Sequence, residues 1–277
     1  MLISYLAVIL FGLALGSFLN VCIYRLPRHE SIVTPRSHCP ACQHAIRWYD
    51  NVPVLSYLWL RGRCRDCRAR ISPLYPFVEA ATAGLGAATL TIYGLTPEFV
   101  KYSALGMLLL ILIFTDLRER RIPHAVTGVG ISIGLLLSFV IPVDSRPLEG
   151  LARLLGSYPE GTALSLLGSL GGALLGGGLF QFVGYVFQRV AGKEGLGFGD
   201  VMLMFMIGTF LGPPLTLVTI LLGSLLGTFI ALPLEFRGRG FRHYQWPYGS
   251  FLGVAAIYAS LGGSYLLDAY LRWANLG

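Results

Sequence analysis

Residues 199–233 read GDVMLMFMIGTFLGPPLTLVTILLGSLLGTFIALP and contain one charged side chain, that of Asp200. Because a helix needs about 20 mostly apolar residues to cross a bilayer core, this stretch predicts membrane helices. A Gly-Pro-Pro triplet at 212–214 divides it into a short span near 199–212 and a longer one near 214–233. A tilted or half-length helix is the alternative for the short span. The fold is therefore decided by the bilayer rather than by a water-soluble core.

The composition of the whole chain agrees with this interpretation. Of its 277 residues, 55% are hydrophobic and only 13% are charged, whereas soluble domains have about 25% charged residues. This excludes a soluble enzyme, a disordered regulator, a coiled coil and a secreted disulfide-rich protein. We predict an all-α polytopic membrane protein with about eight transmembrane helices. The other six predicted spans lie near residues 2–23, 74–94, 99–115, 124–142, 163–188 and 247–270.

The distribution of basic residues predicts the orientation of these spans. The chain has a net charge of +7, but its Lys and Arg residues fall in the gaps between apolar runs, so no nucleic-acid partner is expected. No Lys or Arg precedes the first span, whereas Arg25 and Arg28 follow it directly, which places the N-terminus outside. With eight spans, the four inner loops hold 17 of the 21 basic residues. These loops are 24–73, 116–123, 189–198 and 234–246.

Four of the five cysteines form two CxxC pairs in the first inner loop, with 21 residues between the pairs. Two such pairs at this distance favour tetrahedral Zn²⁺ ligation, and four sulfurs leave no open position, so the predicted role of zinc is structural. Redox-active or merely structural thiols are the alternative. Cys22 reads as a small buried residue, and His38 as a neighbour rather than a ligand. The predicted ligands are Cys39, Cys42, Cys64 and Cys67.

Two aspartates stand at the ends of apolar runs, where charged residues are scarce and commonly functional. Asp116 and Asp200 both fall at the inner membrane face in the predicted topology. Two carboxylates held close share one proton, which is what aspartyl hydrolysis requires. Gly197 and Gly199 would let an extended peptide approach Asp200 closely. The alternatives are a helix N-cap for Asp200 and a juxtamembrane charge pairing with nearby arginines for Asp116.

At these residues the sequence resembles the type IV prepilin peptidases, the leader peptidase/N-methyltransferases of the bacterial inner membrane. Residues 197–200 (GFGD) resemble the family's Gly-x-Gly-Asp motif. The resemblance to the family extends over nearly the whole chain. The other matching stretches are 16–27 (GSFLNVCIYRLP), the two CxxC pairs, 50–53 (DNVP), 71–76 (ISPLYP) followed by Glu79, Asp116 with Ile122-Pro123, and 193–201 (KEGLGFGDV).

The resemblance implies that Asp116 and Asp200 are the catalytic pair. It implies cleavage of the basic leader from type IV prepilins and pseudopilins at the cytoplasmic membrane face. It also implies methylation of the new N-terminal residue, usually Phe, by S-adenosylmethionine. The corresponding division of the chain is a first transmembrane helix (1–24), a four-Cys zinc loop associated with methylation (25–73) and a protease core (74–277).

No glycine-rich nucleotide-binding fingerprint follows a strand pattern, so the candidates for binding S-adenosylmethionine are polar residues near the inner face. Each has a structural alternative, such as a topology anchor, a turn, or a buried partner of a loop arginine. They are Asn20, Arg25, Asp50, Asn51 and Glu79. Other functions kept open are a protease without methyltransferase activity, a transporter with a carboxylate relay, and a non-enzymatic scaffold.

The sequence departs from the family pattern at Met202, at residues 247–250, and in the outer loop at 143–162, which looks long. Met202 stands where many members have Lys, and residues 247–250 read PYGS where the family usually has a segment near Pro-Phe-Gly-Pro. The changes at Tyr248 and Ser250 spare both aspartates. We expect altered substrate contacts or packing from them, and no loss of proteolysis.

Overall fold

The computed structural model describes residues 1–145, 161–192, 195–236 and 246–274. Within these ranges the chain is helical, with isolated β-bridges and no β-strand, so the all-α prediction is confirmed. The chain forms two compact units, Met1–Phe99 and Val100–Gly277. The helices are α1 (Leu2–Arg25), α2 (Leu55–Trp59), α3 (Leu74–Tyr93), α4 (Pro97–Glu119), α5 (His124–Ser138), α6 (Thr162–Ala191), α7 (Phe198–Phe236) and α8 (Tyr248–Trp273), with 3-10 turns at Leu26–Arg28 and Trp48–Asn51.

Five helices of the described part are long and apolar enough to cross a membrane, namely α1, α4, α6, α7 and α8. The shorter α5 is apolar as well. A multi-pass membrane protein is therefore confirmed, while the count of eight spans stays a prediction. Most of the predicted outer loop at 143–162 lies outside the described residues, as do Lys193 and Glu194 of the 193–201 stretch that resembles the family.

In the first unit, α1 and α3 pack against each other along one face of α1. Gly16 lies so close to α3 that an added Cβ would stand 2.6 Å from the Cα of Glu79. One turn further along α1, the side-chain amide of Asn20 donates to the backbone oxygen of Tyr75 at 3.0 Å. As the position on α1 increases, its partner on α3 decreases, so the two helices run antiparallel.

In the second unit, α7 lies against α5, α6 and α8. Helices α6 and α7 come into direct backbone contact at Gly172 of α6 and Gly208 of α7. A Cβ atom on either glycine would overlap the main chain of the other. Beside this crossing, the hydroxyl of Ser169 donates to the backbone oxygen of Thr209 at 2.8 Å. Small residues and interhelical hydrogen bonds are the usual means of packing helices in a bilayer.

The predicted spans can be compared with the helices at three places. The chain is helical on both sides of residue 212, and the break predicted there is present, since Gly212 leaves helical geometry inside α7 with φ 72° and ψ 176°. Helix α4 continues to Glu119, since the charged residues that end its apolar run are good helix formers. Helix α5 ends at Ser138, four residues before the predicted end, and residues 139–141 form a turn that leads to Pro142.

The α6–α7 crossing predicts a large difference between two glycines of α6. Gly172→Ala places a methyl group against the backbone of Gly208, and forcing such an overlap should cost about 1–3 kcal/mol. Gly178→Ala is the matched control, because nothing lies within 4 Å of its added Cβ. Thermal unfolding in detergent should show a lower midpoint for Gly172→Ala only. Equal midpoints for the two variants would contradict the crossing.

Candidate functional site

The two CxxC pairs fold as two copies of one backbone turn. In the first, the N–H of Gln43 donates to the oxygen of Cys39 at 2.8 Å, and in the second the N–H of Arg68 donates to the oxygen of Cys64 at 3.1 Å. Gln43 and Arg68 both have a left-handed φ of 61°. Each turn directs its two thiols to the same side, which is the arrangement predicted from the spacing.

The four sulfurs of these turns form one cluster. All of them lie within 4.8 Å of one another, and Cys39 Sγ is 3.8 Å from Cys67 Sγ. Tetrahedral zinc with Zn–S bonds of about 2.3 Å requires sulfurs about 3.8 Å apart, so the cluster fits that ion. Cys22 is buried on α1, and His38 lies outside the cluster with its Nδ1 3.2 Å from the oxygen of Arg36. Both placements agree with their predicted roles.

The metal centre predicts a stoichiometry that depends on four of the five cysteines. Cys64→Ser should remove bound zinc from the purified protein, because three sulfurs leave the coordination shell incomplete. Cys22→Ser is the matched control and should retain one zinc per chain, since Cys22 lies outside the cluster. Elemental analysis by mass spectrometry measures both. Zinc retained at wild-type stoichiometry in Cys64→Ser would exclude the assigned ligands.

The five candidates for cofactor binding belong to the first unit, and four of them have described hydrogen-bond partners, namely Asn20, Arg25, Asp50 and Glu79. The guanidinium of Arg25 donates to the backbone oxygens of Ser31 and Pro35, both at 2.7 Å. Asp50 accepts from Arg65 through both carboxylate oxygens, at 2.6 to 3.1 Å. This hydrogen-bonded guanidinium holds the pKa of Asp50 below its usual value, so Asp50 is ionised at neutral pH.

The remaining candidates are Glu79 and Asn51. Glu79 is buried at 7% exposure, and its Oε2 accepts the N–H of Val54 at 2.8 Å. Its described hydrogen-bond partners are this loop backbone and the Ser17 side chain, rather than the loop arginine considered from the sequence. Asn51 is exposed beside Asp50. A glutamate carboxyl and an exposed amide are groups that suit a cationic methyl donor with an amino-acid moiety.

The two predicted catalytic aspartates converge on one point at the start of α8. Asp116 lies one turn before the end of α4 and is 6% exposed, and Asp200 lies in the first turn of α7. A Cβ added to Gly249 would stand 3.0 Å from Asp200 Oδ1 and 3.2 Å from Asp116 Oδ2. The distance between Asp200 Oδ1 and Asp116 Oδ2 is therefore at most the sum of these two distances. The fold brings together two carboxylates that are 84 residues apart in sequence.

Ser250 completes this site, and sequence reasoning did not assign it. Its backbone N–H donates to Asp116 Oδ2 at 2.7 Å, and its hydroxyl is 2.8 Å from the same oxygen. Two residues before Ser250, the hydroxyl of Tyr248 is 3.0 Å from the hydroxyl of Ser224. The sequence did mark Tyr248 and Ser250, because both depart from the family pattern. That departure predicted altered contacts but no role for either side chain beside Asp116.

The two glycines before Asp200 have different surroundings. A Cβ on Gly199 would stand 2.9 Å from that of Ile122, so Gly199 allows the chain after α4 to pack beside α7. A Cβ on Gly197 would stand 3.6 Å from Asp200 Oδ2, an ordinary contact, and Gly197 is exposed. Gly197 thus leaves open space next to the carboxylate, as a peptide approaching it would require.

This arrangement can perform acid–base chemistry on a bond placed beside it. Two neighbouring carboxyls do not readily ionise together, so one retains a proton while the other acts as a base. A buried and a half-buried carboxyl on membrane helices, in a chain that also has a four-sulfur cluster, are the arrangement expected of a polytopic membrane protein with aspartyl hydrolase activity.

Comparison with known proteins agrees with this class. Residues 10–93 match the family model of the bacterial peptidase A24 N-terminal domain, and residues 103–232 match that of the type IV leader peptidase family. The chain belongs to the type IV leader peptidase family. No solved structure matches it significantly. This membership disfavours the transporter and scaffold alternatives.

Curated relatives carry the name prepilin leader peptidase/N-methyltransferase. The protein of Myxococcus xanthus is 39% identical over 228 residues, which cover 82% of this chain and 62% of that protein. The protein of Aeromonas salmonicida is 33% identical over 294 residues, covering 96% of this chain and 92% of the relative. That of Pseudomonas aeruginosa is 32% identical over 301 residues, covering 98% and 94%.

Proposed function

We propose that this protein is a membrane aspartyl endopeptidase that removes the leader peptide from type IV prepilins and pseudopilins, and that it methylates the new N-terminus. The observation that carries the peptidase proposal is the convergence of Asp116 and Asp200 on Gly249. Family membership supports the substrate class, and the curated relatives' names support both activities.

The proposed cleavage uses one ionised and one protonated carboxyl. The ionised member takes a proton from water as the water oxygen bonds to the scissile carbonyl carbon, and the protonated member donates to the carbonyl oxygen. When the tetrahedral intermediate collapses, the C–N bond breaks and the amine nitrogen takes the proton that the base removed from water. The other carboxylate takes back a proton from a hydroxyl of the intermediate, which restores the starting pair. The products are a free carboxyl on the leader and a free amine on the pilin.

We place the active site at the cytoplasmic face of the bacterial inner membrane, with the N-terminus outside. Three arginines, at positions 118, 120 and 121, follow Asp116 at the end of α4, and such residues concentrate on the cytoplasmic side. A prepilin's basic leader stays on the same side for the same reason, while its apolar segment lies in the bilayer. The scissile bond between them would then lie at the depth of the two aspartates.

We assign the methyl-transfer step to the first unit and a structural zinc ion to its four cysteines. S-adenosylmethionine supplies an electrophilic methyl group when bound. Glu79, in the first turns of α3, is the residue we propose to face its positive charge, with Asn51 as a second polar contact. The contact of Glu79 with Val54 connects α3 to the four-cysteine loop (residues 25–73), which we call the metal loop. The metal loop would thereby position the residues that bind the methyl donor.

The dyad proposal predicts that both aspartates are required for cleavage. Asp116→Asn and Asp200→Asn each remove one acid–base group, which should lower the rate of prepilin cleavage by roughly 10²–10⁴-fold. The measurement is a gel-shift assay of leader removal by purified protein. Asp268→Asn is the matched control, because Asp268 is an exposed aspartate further along α8.

Folding of each variant is checked by size-exclusion profile and zinc content. Wild-type cleavage by a folded Asp116→Asn or Asp200→Asn protein would exclude the two-carboxylate mechanism. Loss of cleavage in Asp268→Asn as well would indicate general damage rather than a dyad.

The methylation proposal predicts a selective loss at Glu79. Glu79→Gln keeps an oxygen that can accept the Val54 N–H but removes the negative charge, which should weaken S-adenosylmethionine binding roughly tenfold. Calorimetry measures binding, and mass spectrometry of the processed pilin measures the added methyl group. Glu30→Gln, at an exposed glutamate of the same unit, is the control. Unchanged binding in Glu79→Gln would exclude this contact, and cleavage should persist in both variants.

A further inference from the structure

We propose that Ser250 is a positioning residue that holds Asp116 as the ionised member of the aspartate pair and leaves the shared proton on Asp200. This inference rests on the proposed peptidase function and assigns its two roles. Asp116 is then the base that activates water, and Asp200 is the acid that protonates the scissile carbonyl oxygen.

The direction of the hydrogen bonds is the first argument. A backbone N–H can only donate, so the 2.7 Å contact from Ser250 makes Asp116 Oδ2 an acceptor. The Ser250 hydroxyl is 2.8 Å from the same oxygen and 3.2 Å from the backbone oxygen of Ile113. Donors on a carboxylate stabilise its ionised form, and such charge-assisted bonds are stronger than neutral ones.

The two carboxyls differ in what surrounds them. Asp116 has the two donors of Ser250 and the positive charge of Arg120 nearby. The donor described at Asp200 is the backbone of Gly197, and its charged neighbour is Asp116 itself. Only Asp116 therefore has both a hydroxyl donor and a cation in its described environment.

The helix dipoles do not reverse this difference. Asp200 lies in the first turn of α7, which favours a negative charge there. Asp116 lies at the unfavourable end of α4 but accepts the N–H of Ser250, which stands in the first turn of α8. Each carboxyl thus has one helix N-terminus, whereas the Ser250 hydroxyl and Arg120 are described neighbours of Asp116 and not of Asp200.

Other titratable groups of the packed elements lie further along the site. Tyr248 of α8 has its hydroxyl 3.0 Å from Ser224, and Asp200 acts on it electrostatically. His124, at the start of α5, has its ring against that of Phe198, with centroids 5.4 Å apart. The test must therefore change the donors on Asp116 while leaving these groups in place.

The test compares the pH dependence of kcat/KM for prepilin cleavage among wild type, Ser250→Ala and Ser250→Pro. Alanine removes the hydroxyl, and proline removes the N–H as well, in a first helical turn where proline is tolerated. Losing donors makes Asp116 easier to protonate, so the acidic limb should move to higher pH, by about one unit for alanine and further for proline. Ser260→Ala is the matched control, because this buried serine of α8 donates to Ile257 instead.

Each outcome of the pH profiles either supports or overturns the proposed role of Ser250. A raised acidic limb with an unmoved basic limb supports the proposal, whereas a raised basic limb assigns the proton to Asp116 and overturns it. Lower kcat with both limbs unmoved shows a merely structural serine and also overturns it. Should Ser250→Pro not fold, Ser250→Ala alone is decisive. Absence of cleavage by wild type would refute the proposed function itself, a result distinct from cleavage with unmoved limbs.

Discussion

Where α6 crosses α7, Gly172 and Gly208 bring two backbones into contact with no side chain between them. In a bilayer, apolar side chains gain little by leaving lipid for a protein neighbour, so close packing and hydrogen bonds must hold helices together. The crossing therefore fixes α7, which carries Asp200 in its first turn and packs against α8. Helix α8 in turn begins with the residues that touch both aspartates. The geometry of the carboxyl pair thus depends on a contact between glycines in another part of the same unit.

The metal loop was predictable because its chemistry is local. Two residues between paired cysteines are enough to define a turn with both sulfurs on one side, and the cluster has the four predicted members. The membrane helices were predictable for a similar reason, since span length and apolar composition follow from the bilayer alone. The ends of these helices were harder to predict. The apolar run of α4 stops just before Asp116, yet the helix continues through the charged residues to Glu119.

Convergence at the active site was only partly predictable. The sequence placed Asp116 and Asp200 at one membrane face, but their separation depends on how α4, α7 and α8 pack. The contact between Ser250 and Asp116 spans 134 residues, and no local pattern encodes it. Departure from a family pattern marked Ser250 as unusual, whereas only its distance to Asp116 shows that it donates to a carboxylate.

The duplicated turns of the metal loop have a consequence for how such chains can vary. A metal ion bound by Cys39, Cys42, Cys64 and Cys67 would close the intervening chain into a ring whose ends stay fixed whatever its length. Doubling the length of a flexible closed loop costs only about 0.6 kcal/mol. Residues inserted between the two turns would therefore leave α1 and α3 in register. The ring can therefore change in length while the two helices keep their mutual packing.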